Sequence, residues 1–453
     1  MARLDQSPKT VSINDLSHDG RGVARWPDGH ANAGKTVFVS GALPGETVSV
    51  QQTARSRHFD EARTLEVIEA SPDRVVPRCP HFGVCGGCVL QHLAEDRQIA
   101  YKQQVLLDNL QRIGHVAPAS VLPPLRGDSW GYRRKGRFSV RRVEKKDKTL
   151  VGFREQDPRF VADIGECHVV VPQLGFKVAA LGALVDGLDA RRDIPQIEFI
   201  AGDADTALVF RHLQPLSEGD KAKLEAFGAE QGFTLFLQPG GLDSVRPLAG
   251  EPPQLAFRLP QWDIELLFRP LDFIQVNATL NQAMIARALE LLDVQPGERV
   301  LDLFCGLGNF TLPLARASGD GAVVGVEGDA GLVARARANA AHNGMANVQF
   351  HAADLAQDLA GQPWLKAGSS TGTYDKLLLD PARSGAIEVL KQLPLKGLKR
   401  IVYVSCHPGS LARDAGYLVN EAGWTLREAG ASGRFPHTAQ DEASAARGPP
   451  KKA

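Results

Sequence analysis

The stretch "VLDLFCGLGNFTLPLA", residues 300–315, carries three structural signals in succession. Val300 to Leu303 is apolar except for Asp302 and reads as a buried strand. Gly306 and Gly308 make a turn whose backbone can approach a ligand closely, and the residues after Asn309 read as a helix whose N-terminus favours polar groups. Outward from this stretch, "AVVGVE", "VQFHA", "YDKLLLD" and "RIVYVS" are strand-like. The segments between them, such as "AGLVARARANAAHNG", have helical character. That alternation, from residue 271 onward, predicts an α/β fold with a parallel, doubly wound, Rossmann-like sheet.

The carboxyl ends of these strands carry polar residues, and such sheets bind ligands at that edge. Glu327 ends "AVVGVE", 18 residues beyond Asn309, where an acid suits a ribose diol. Asp354 follows the third strand and Asp380 the fourth. The first turn reads "CGLGNF" in place of G-x-G-x-x-G, which favours S-adenosylmethionine over NAD.

Cys406 lies at the same edge, in "RIVYVSCHPGSLARD" (400–414). A lone cysteine is commonly a small buried hydrophobe. Here His407 and Pro408 make a sharp polar turn, and a helix begins directly after it, which favours a thiolate nucleophile. A thiolate beside a methyl donor has a specific use. C5 of a pyrimidine is too weakly nucleophilic to accept a methyl group unaided, and thiolate addition to C6 makes C5 enolate-like. A base must then remove the C5 proton; Glu442 in "FPHTAQDE" is the candidate, with Asp441 competing.

The 453 residues exceed one core, and at roughly 150 residues per domain they suggest three domains: 1–70, 71–270 and 271–453. The first reads as all-β, with strands at Thr36–Ser40 and Thr47–Val50 around "GALPGE", and predicts a small OB-like barrel, either nucleic-acid binding or structural. The second is mixed α+β. Its stretch "RGDSWGYRRKGRFSVRRVEKKDK" (126–148) holds ten Lys or Arg against three Asp or Glu. With Trp130, Tyr132 and Phe138 interleaved, it predicts phosphate neutralisation and base stacking on RNA, or else a solvated strand pair with a charged outer face. The tail from Ala443, "ASAARGPPKKA", has no large apolar residue and reads as a frayed terminus. No apolar run reaches the ~18 residues of a membrane span, and "MARLDQSPKT" lacks a signal-peptide core, so a cytoplasmic protein is expected.

"CPHFGVCGGC" sets Cys79, Cys85 and Cys88 at C-x5-C-x2-C spacing, and its Gly-Gly pair permits a tight loop. Cys167, in "IGECHVVV", is the only other cysteine of the region. Four thiolates fit zinc or a [4Fe–4S] cluster; zinc sites usually pair two C-x2-C knuckles, so the asymmetric spacing tilts toward iron–sulfur.

Taken together, "CPHFGVCGGC" with Cys167, "FIQVNATLNQ", "LDLFCGLGNF", "DPARSG" and "VYVSCHPGSLARD" closely resemble, in order and over essentially the whole chain, the bacterial 23S rRNA (uracil-5-)-methyltransferases of the RlmD type. The resemblance implies an N-terminal TRAM domain, a central domain with a structural [4Fe–4S] cluster on Cys79, Cys85, Cys88 and Cys167, and a C-terminal methyltransferase domain. It implies S-adenosylmethionine contacts from Gln275, Phe304, Asn309, Glu327, Asp354 and Asp380, a nucleophile at Cys406 and a base at Glu442. The implied partner is 23S rRNA around an unpaired uridine, position 1939 first among the choices, with no membrane and no obligate protein partner. Another rRNA uridine or a tRNA is the alternative. Two departures stand out. The motif H-T-x-H-x-E reads His437-Thr438-Ala439-Gln440-Asp441-Glu442, without the second histidine, and a small-residue tail replaces the family's bulky last strand. The rival reading as a DNA cytosine-5 methyltransferase meets a mismatch, because Ser405, where that class has proline, precedes Cys406.

Overall fold

The computed structural model describes residues 7–366, 374–433, 435–439 and 442–448; of residues 442, 446 and 447 it describes the backbone alone. The chain divides into two compact units. One comprises Met1–Tyr101, Phe153–Ala162 and Phe435–Gln440, the other Lys102–Gly152, Asp163–Arg434 and Asp441–Ala453.

The first unit holds a six-stranded sheet in the order Lys9–Ser12, Thr47–Arg55, Phe59–Glu69, Thr36–Ser40, Gly22–Arg25, Asp15–Leu16. Thr36–Ser40 appears with its expected bounds, and the strand from Thr47 runs on to Arg55. Alternation does the work here: Val37, Val39, Val48 and Val50 are wholly buried, with Trp26 closing their core.

The second unit contains the doubly wound sheet. Its strands are β1 (Val300–Leu303), β2 (Val323–Glu327), β3 (Val348–Ala352), β4 (Lys376–Leu379), β5 (Arg400–Ser405), β6 (Thr425–Ser432) and β7 (Glu442–Gly448). Their order is β3-β2-β1-β4-β5-β7-β6, with Ser120–Val121 on the outer edge. The first five in that order run parallel, and β7 is antiparallel to both its neighbours. Helices α1 (Ala278–Leu292), α2 (Thr311–Ser318), α3 (Ala330–His342) and α4 (Pro408–Gly416) flank it. The winding reverses between β1 and β4, which opens a crevice at the carboxyl ends of the strands.

A second six-stranded sheet in this unit includes Lys135–Val143, Gln196–Ala201 and Phe233–Gln238. Among the described residues no helix is long and apolar enough to cross a membrane.

The tail is a correction to the sequence reading. Residues from Glu442 to Gly448 form β7, inserted between β5 and β6, rather than a frayed end. Ladder hydrogen bonds come from the backbone, so alanine serves in a central strand when both neighbours are present. Ala443 and Ala445 are fully buried, and their small side chains leave room for Tyr403, Trp424 and Leu426 in the same core.

Candidate active site

The turn after β1 is held in an unusual backbone shape. Phe304 adopts φ 66°, a left-handed conformation that costs a non-glycine residue energy and is found where surroundings enforce it. The enforcement is visible: the N–H groups of Phe304 and Cys305 both donate to the carbonyl of Val326, at 2.8 and 3.1 Å. Gly306 follows at φ 55°, and a side chain there would meet no atom within 4 Å, so this Cα faces open space. The Gly306 N–H donates to Glu327 Oε2 at 3.1 Å, and Glu327 Oε1 accepts from the Asp329 N–H at 3.1 Å. The acid at the end of β2 is thereby locked against the glycine turn.

Asn309 forms a reciprocal amide pair with Asn281 of α1, each Nδ2 donating to the other's Oδ1 at 2.9 Å. The pair consumes one donor and one acceptor of each amide, which leaves Asn309 one N–H and one lone pair for a ligand. Gln275, 7% exposed, has no partner for its Oε1 among the described residues. A buried amide oxygen without a donor calls for one from a ligand. The orphaned oxygen, the open face at Gly306 and the half-satisfied Asn309 fit a polar nucleoside-bearing molecule. Asp354, exposed after β3, accepts from the Ala356 N–H at 3.0 Å, and the Asp380 N–H donates to Leu303 O at 3.3 Å. Phe304, Asn309, Glu327, Asp354 and Asp380 thus all stand at the carboxyl edge of the parallel strands.

The segment bearing Gln275 is anchored from two sides. Lys135 Nζ donates to Leu271 O at 2.9 Å and to Asp272 O, and Arg335 Nη2 of α3 donates to Asp272 Oδ1 at 2.7 Å. Asn281, Lys135 and Arg335 escape a sequence reading because their partners are 28 to 137 residues away. Only the polar positions in the otherwise apolar α1 hint at Asn281.

Under the turn lies a carboxyl whose ionisation is pushed up toward neutrality. Asp302 is fully buried; its Oδ2 accepts from Thr311 Oγ1 at 2.6 Å, and its Oδ1 has no partner among the described residues. Burial pushes its pKa up to about 7, against the opposing Thr311 hydrogen bond and with help from the charge of Glu327. Burial likewise raises the Cys305 thiol, with Asp302 and Glu327 adding to the effect, so Cys305 is an inert bystander. The stability that the protonated Asp302 contributes is complete below pH ~4 and is lost as pH rises through about 7. We expect the stability of Asp302→Asn relative to wild type to shift in the variant's favour by about 4 kcal/mol between pH 4 and 7, and to be level above that. Urea-unfolding free energies across that range check it, and a pH-independent difference would contradict it.

At the end of β5 the turn around Cys406 is closely tied. Ser405 Oγ accepts from the His407 N–H at 3.2 Å and donates to His407 O at 3.1 Å. His407 Nδ1 caps α4 by accepting from the Ser410 N–H at 3.1 Å. Cys406 is half-buried, unlike Cys305. In the β5–β7 ladder Ser405 pairs with Ala443. The ladder ends at that pair, so Cys406 follows directly after it on one strand and Glu442 directly precedes it on the other, where the Glu442 backbone pairs with Ser432 of β6. The Glu442 side chain and all of Asp441 lie outside the described residues.

Cys79 and Cys85 are half-buried and Cys88 is buried in the first unit; Cys167 is buried in the second. The Gly87 N–H donates to Cys85 Sγ at 3.4 Å, and a side chain at Gly86 would approach Glu155 O to 2.8 Å, so position 86 needs glycine. Among the described residues, no group of three or more His, Cys, Asp or Glu is placed to hold a metal ion.

The basic stretch needs a correction. Phe138 and Tyr132 are buried, Phe138 with its ring 4.8 Å from that of Phe199, so neither can stack on a base. Period-two alternation sends Phe138 and Val140 to the core face. Much of the charge is also paired within the fold: Arg134 with Asp203, Arg142 with Asp186, and Lys146 and Lys148 with Asp163.

The chain is similar to known proteins. The family described as tRNA (Uracil-5-)-methyltransferase matches residues 258–443, and the TRAM domain matches residues 7–63. A protein of Xanthomonas euvesicatoria pv. vesicatoria named 23S rRNA (uracil(1939)-C(5))-methyltransferase RlmD is 67% identical over 98% of both chains. One of the same name from Stenotrophomonas maltophilia is 67% identical over 98% of both chains. The crystal structure of Pyrococcus abyssi tRNA (uracil-54, C5)-methyltransferase in complex with S-adenosyl-L-homocysteine shares the fold. It superposes with TM-score 0.72 at 21% identity, over 97% of this chain and 100% of that one.

Proposed function

The chain belongs to the 23S rRNA (uracil(1939)-C(5))-methyltransferase RlmD family, and we propose that it methylates C5 of uridine 1939 in 23S rRNA with S-adenosylmethionine. The observation that supports this reading is the last β5–β7 pair, Ser405 with Ala443, which sets the chain neighbours of Cys406 and Glu442 side by side at the carboxyl edge of the sheet.

S-adenosylmethionine supplies an electrophilic methyl group. Gln275, Phe304, Asn309, Glu327, Asp354 and Asp380 hold it, Glu327 on the ribose hydroxyls and Gln275 through its buried Oε1. The Cys406 thiolate adds to C6 of uracil, and the electron pair moves to C5 and O4. C5 would then take the methyl group as the carbon–sulfur bond of the bound donor breaks, its electron pair staying on sulfur and S-adenosylhomocysteine departing. Glu442 takes the C5 proton, and the returning electron pair expels the thiolate, leaving 5-methyluridine and a regenerated Cys406.

The same reading assigns an OB-like barrel to the N-terminal sheet and RNA contact to it. Residues 1–70, 71–270 and 271–453 divide the work among barrel, central domain and methyltransferase. It places the protein in the cytoplasm, on an unpaired rRNA segment, without an obligate protein partner.

Cys79, Cys85, Cys88 and Cys167 hold a structural [4Fe–4S] cluster in this reading. The spacing and the amide hydrogen bond to Cys85 Sγ support it, since such bonds stabilise cluster sulfurs. Anaerobically purified protein should be brown, with four iron and four sulfide per chain expected of such a cluster. A colourless anaerobic sample with stoichiometric zinc would refute it.

The function is tested by mapping 5-methyluridine in 23S rRNA after reaction with labelled S-adenosylmethionine. Label at uridine 1939 is expected, and label confined to another rRNA site or to tRNA would overturn the substrate assignment.

A further inference from the structure

Asp414 closes the motif that contains Cys406, yet it lies almost two helical turns beyond it and is fully buried. Its Oδ2 accepts from Tyr403 Oη at 2.6 Å and from the Ala386 N–H at 2.7 Å. Its Oδ1 accepts from Arg413 Nε at 2.8 Å, and Arg413 Nη2 donates in turn to Ser384 O at 2.8 Å. In each of these contacts a donor meets an acceptor-only carboxylate, an arrangement an amide cannot reproduce.

The three partners come from three different places. Tyr403 is on β5, three residues before Cys406, and Arg413 is on α4. Ala386 ends the loop that Asp380 opens after β4. One carboxylate therefore ties strand, helix and loop together beneath the Cys406 turn. Gly385 marks how tightly they meet: at φ +83° it lies so close that a side chain would come within 2.5 Å of Arg413 Nη2 and 2.7 Å of Asp414 Oδ2.

The bend between β5 and α4 is defined locally by hydrogen bonds among Ser405, His407 and Ser410. Its angle depends on how α4 seats on β5, and the Tyr403–Asp414 hydrogen bond spans that seat. We propose that Asp414 is a positioning residue that fixes the Cys406 sulfur for attack by clasping α4 to β5 and to the Asp380–Ala386 loop; this rests on Cys406 being the nucleophile. Asp380 keeps its own anchor on Leu303 O, so cofactor binding does not depend on the clasp.

The test uses the full chain with Asp414→Asn, Asp414→Ala, Tyr403→Phe and Arg413→Ala. Single-turnover formation of a covalent complex with rRNA carrying 5-fluorouridine reads sulfur placement, and calorimetry reads S-adenosylmethionine affinity. Misplacement by ~1 Å should slow complex formation about 100-fold in the Asp414 variants with affinity unchanged. Tyr403→Phe and Arg413→Ala, which remove one donor each, should slow it about 10-fold, and Tyr403→Phe should add little on top of Asp414→Asn. Should the Asp414 variants fail to fold, the two milder variants decide. Complex formation at the wild-type rate, or loss in step with cofactor affinity, overturns the proposal. An independent readout is alkylation of Cys406 by iodoacetamide, located by peptide mass spectrometry. A released thiol should react at least about threefold faster in the variants. If wild-type protein forms no covalent complex, the nucleophile assignment has failed, and the alkylation rates still decide whether Asp414 positions Cys406: unchanged rates overturn it.

Discussion

Cys406→Ala should lower 5-methyluridine formation by at least about 10^4-fold while leaving S-adenosylmethionine binding intact. The size of the effect follows from chemistry. Without a C6 adduct, C5 of uracil lacks the electron density to attack a methyl group, and no neighbouring group can substitute. Cys305 is the only other cysteine on this sheet edge, and it is buried with a strongly raised thiol pKa, so it cannot rescue the variant. The intact binding follows from geometry. The turn of Phe304–Asn309 and the acid at Glu327 are held by their own hydrogen bonds to Val326, Asn281 and Gly306, none of which involves Cys406. Methyl-transfer assays on 23S rRNA beside calorimetric titration of the cofactor check both halves. Wild-type turnover in the variant would refute covalent catalysis.

How much of this was legible in the sequence depends on the range of the interaction. β1, β2, β4 and β5 announce themselves as short, largely apolar runs, each with a glycine, proline or acidic residue within three residues of its end. Position along such a strand already places its last residue at the ligand edge. That logic located Glu327, Asp354, Asp380 and Cys406 at the strand ends, whereas Phe304 came from the family resemblance. β7 was hidden because strand propensity reflects side-chain packing, which alanine and serine lack; only the presence of β5 and β6 on either side makes it a strand. Tyr132 and Phe138 looked accessible because arginines surround them, although the alternation Phe138-Ser139-Val140-Arg141 already separates an inner from an outer face. The Asn281–Asn309 pair and the Asp414 clasp join residues from different motifs, and spacing within one motif says nothing about such partners.

The alanine-rich β7 also decides the last step of the reaction. Because it lies in the ladder beside β5, with Ala443 paired to Ser405, it fixes the backbone of residue 442 next to the end of the strand that leads into Cys406, whereas a frayed tail would hold no base near the substrate. Glu442→Gln should therefore separate the two halves of the chemistry. Addition of Cys406 and methyl transfer need no carboxylate at 442, so both should proceed once. The amide cannot accept the C5 proton, so the thiolate cannot leave, and the methylated RNA should remain attached to the protein. Turnover should drop about 10^2- to 10^4-fold, the range general-base removal usually gives. The diagnostic measurement is a denaturation-stable RNA–protein complex that contains the transferred label, with no tritium released from [5-3H]uridine. Asp441→Asn, made in parallel, should turn over normally. If instead Asp441→Asn traps the complex and Glu442→Gln does not, the proton goes to the neighbouring carboxylate, and the register argument that selects residue 442 is wrong.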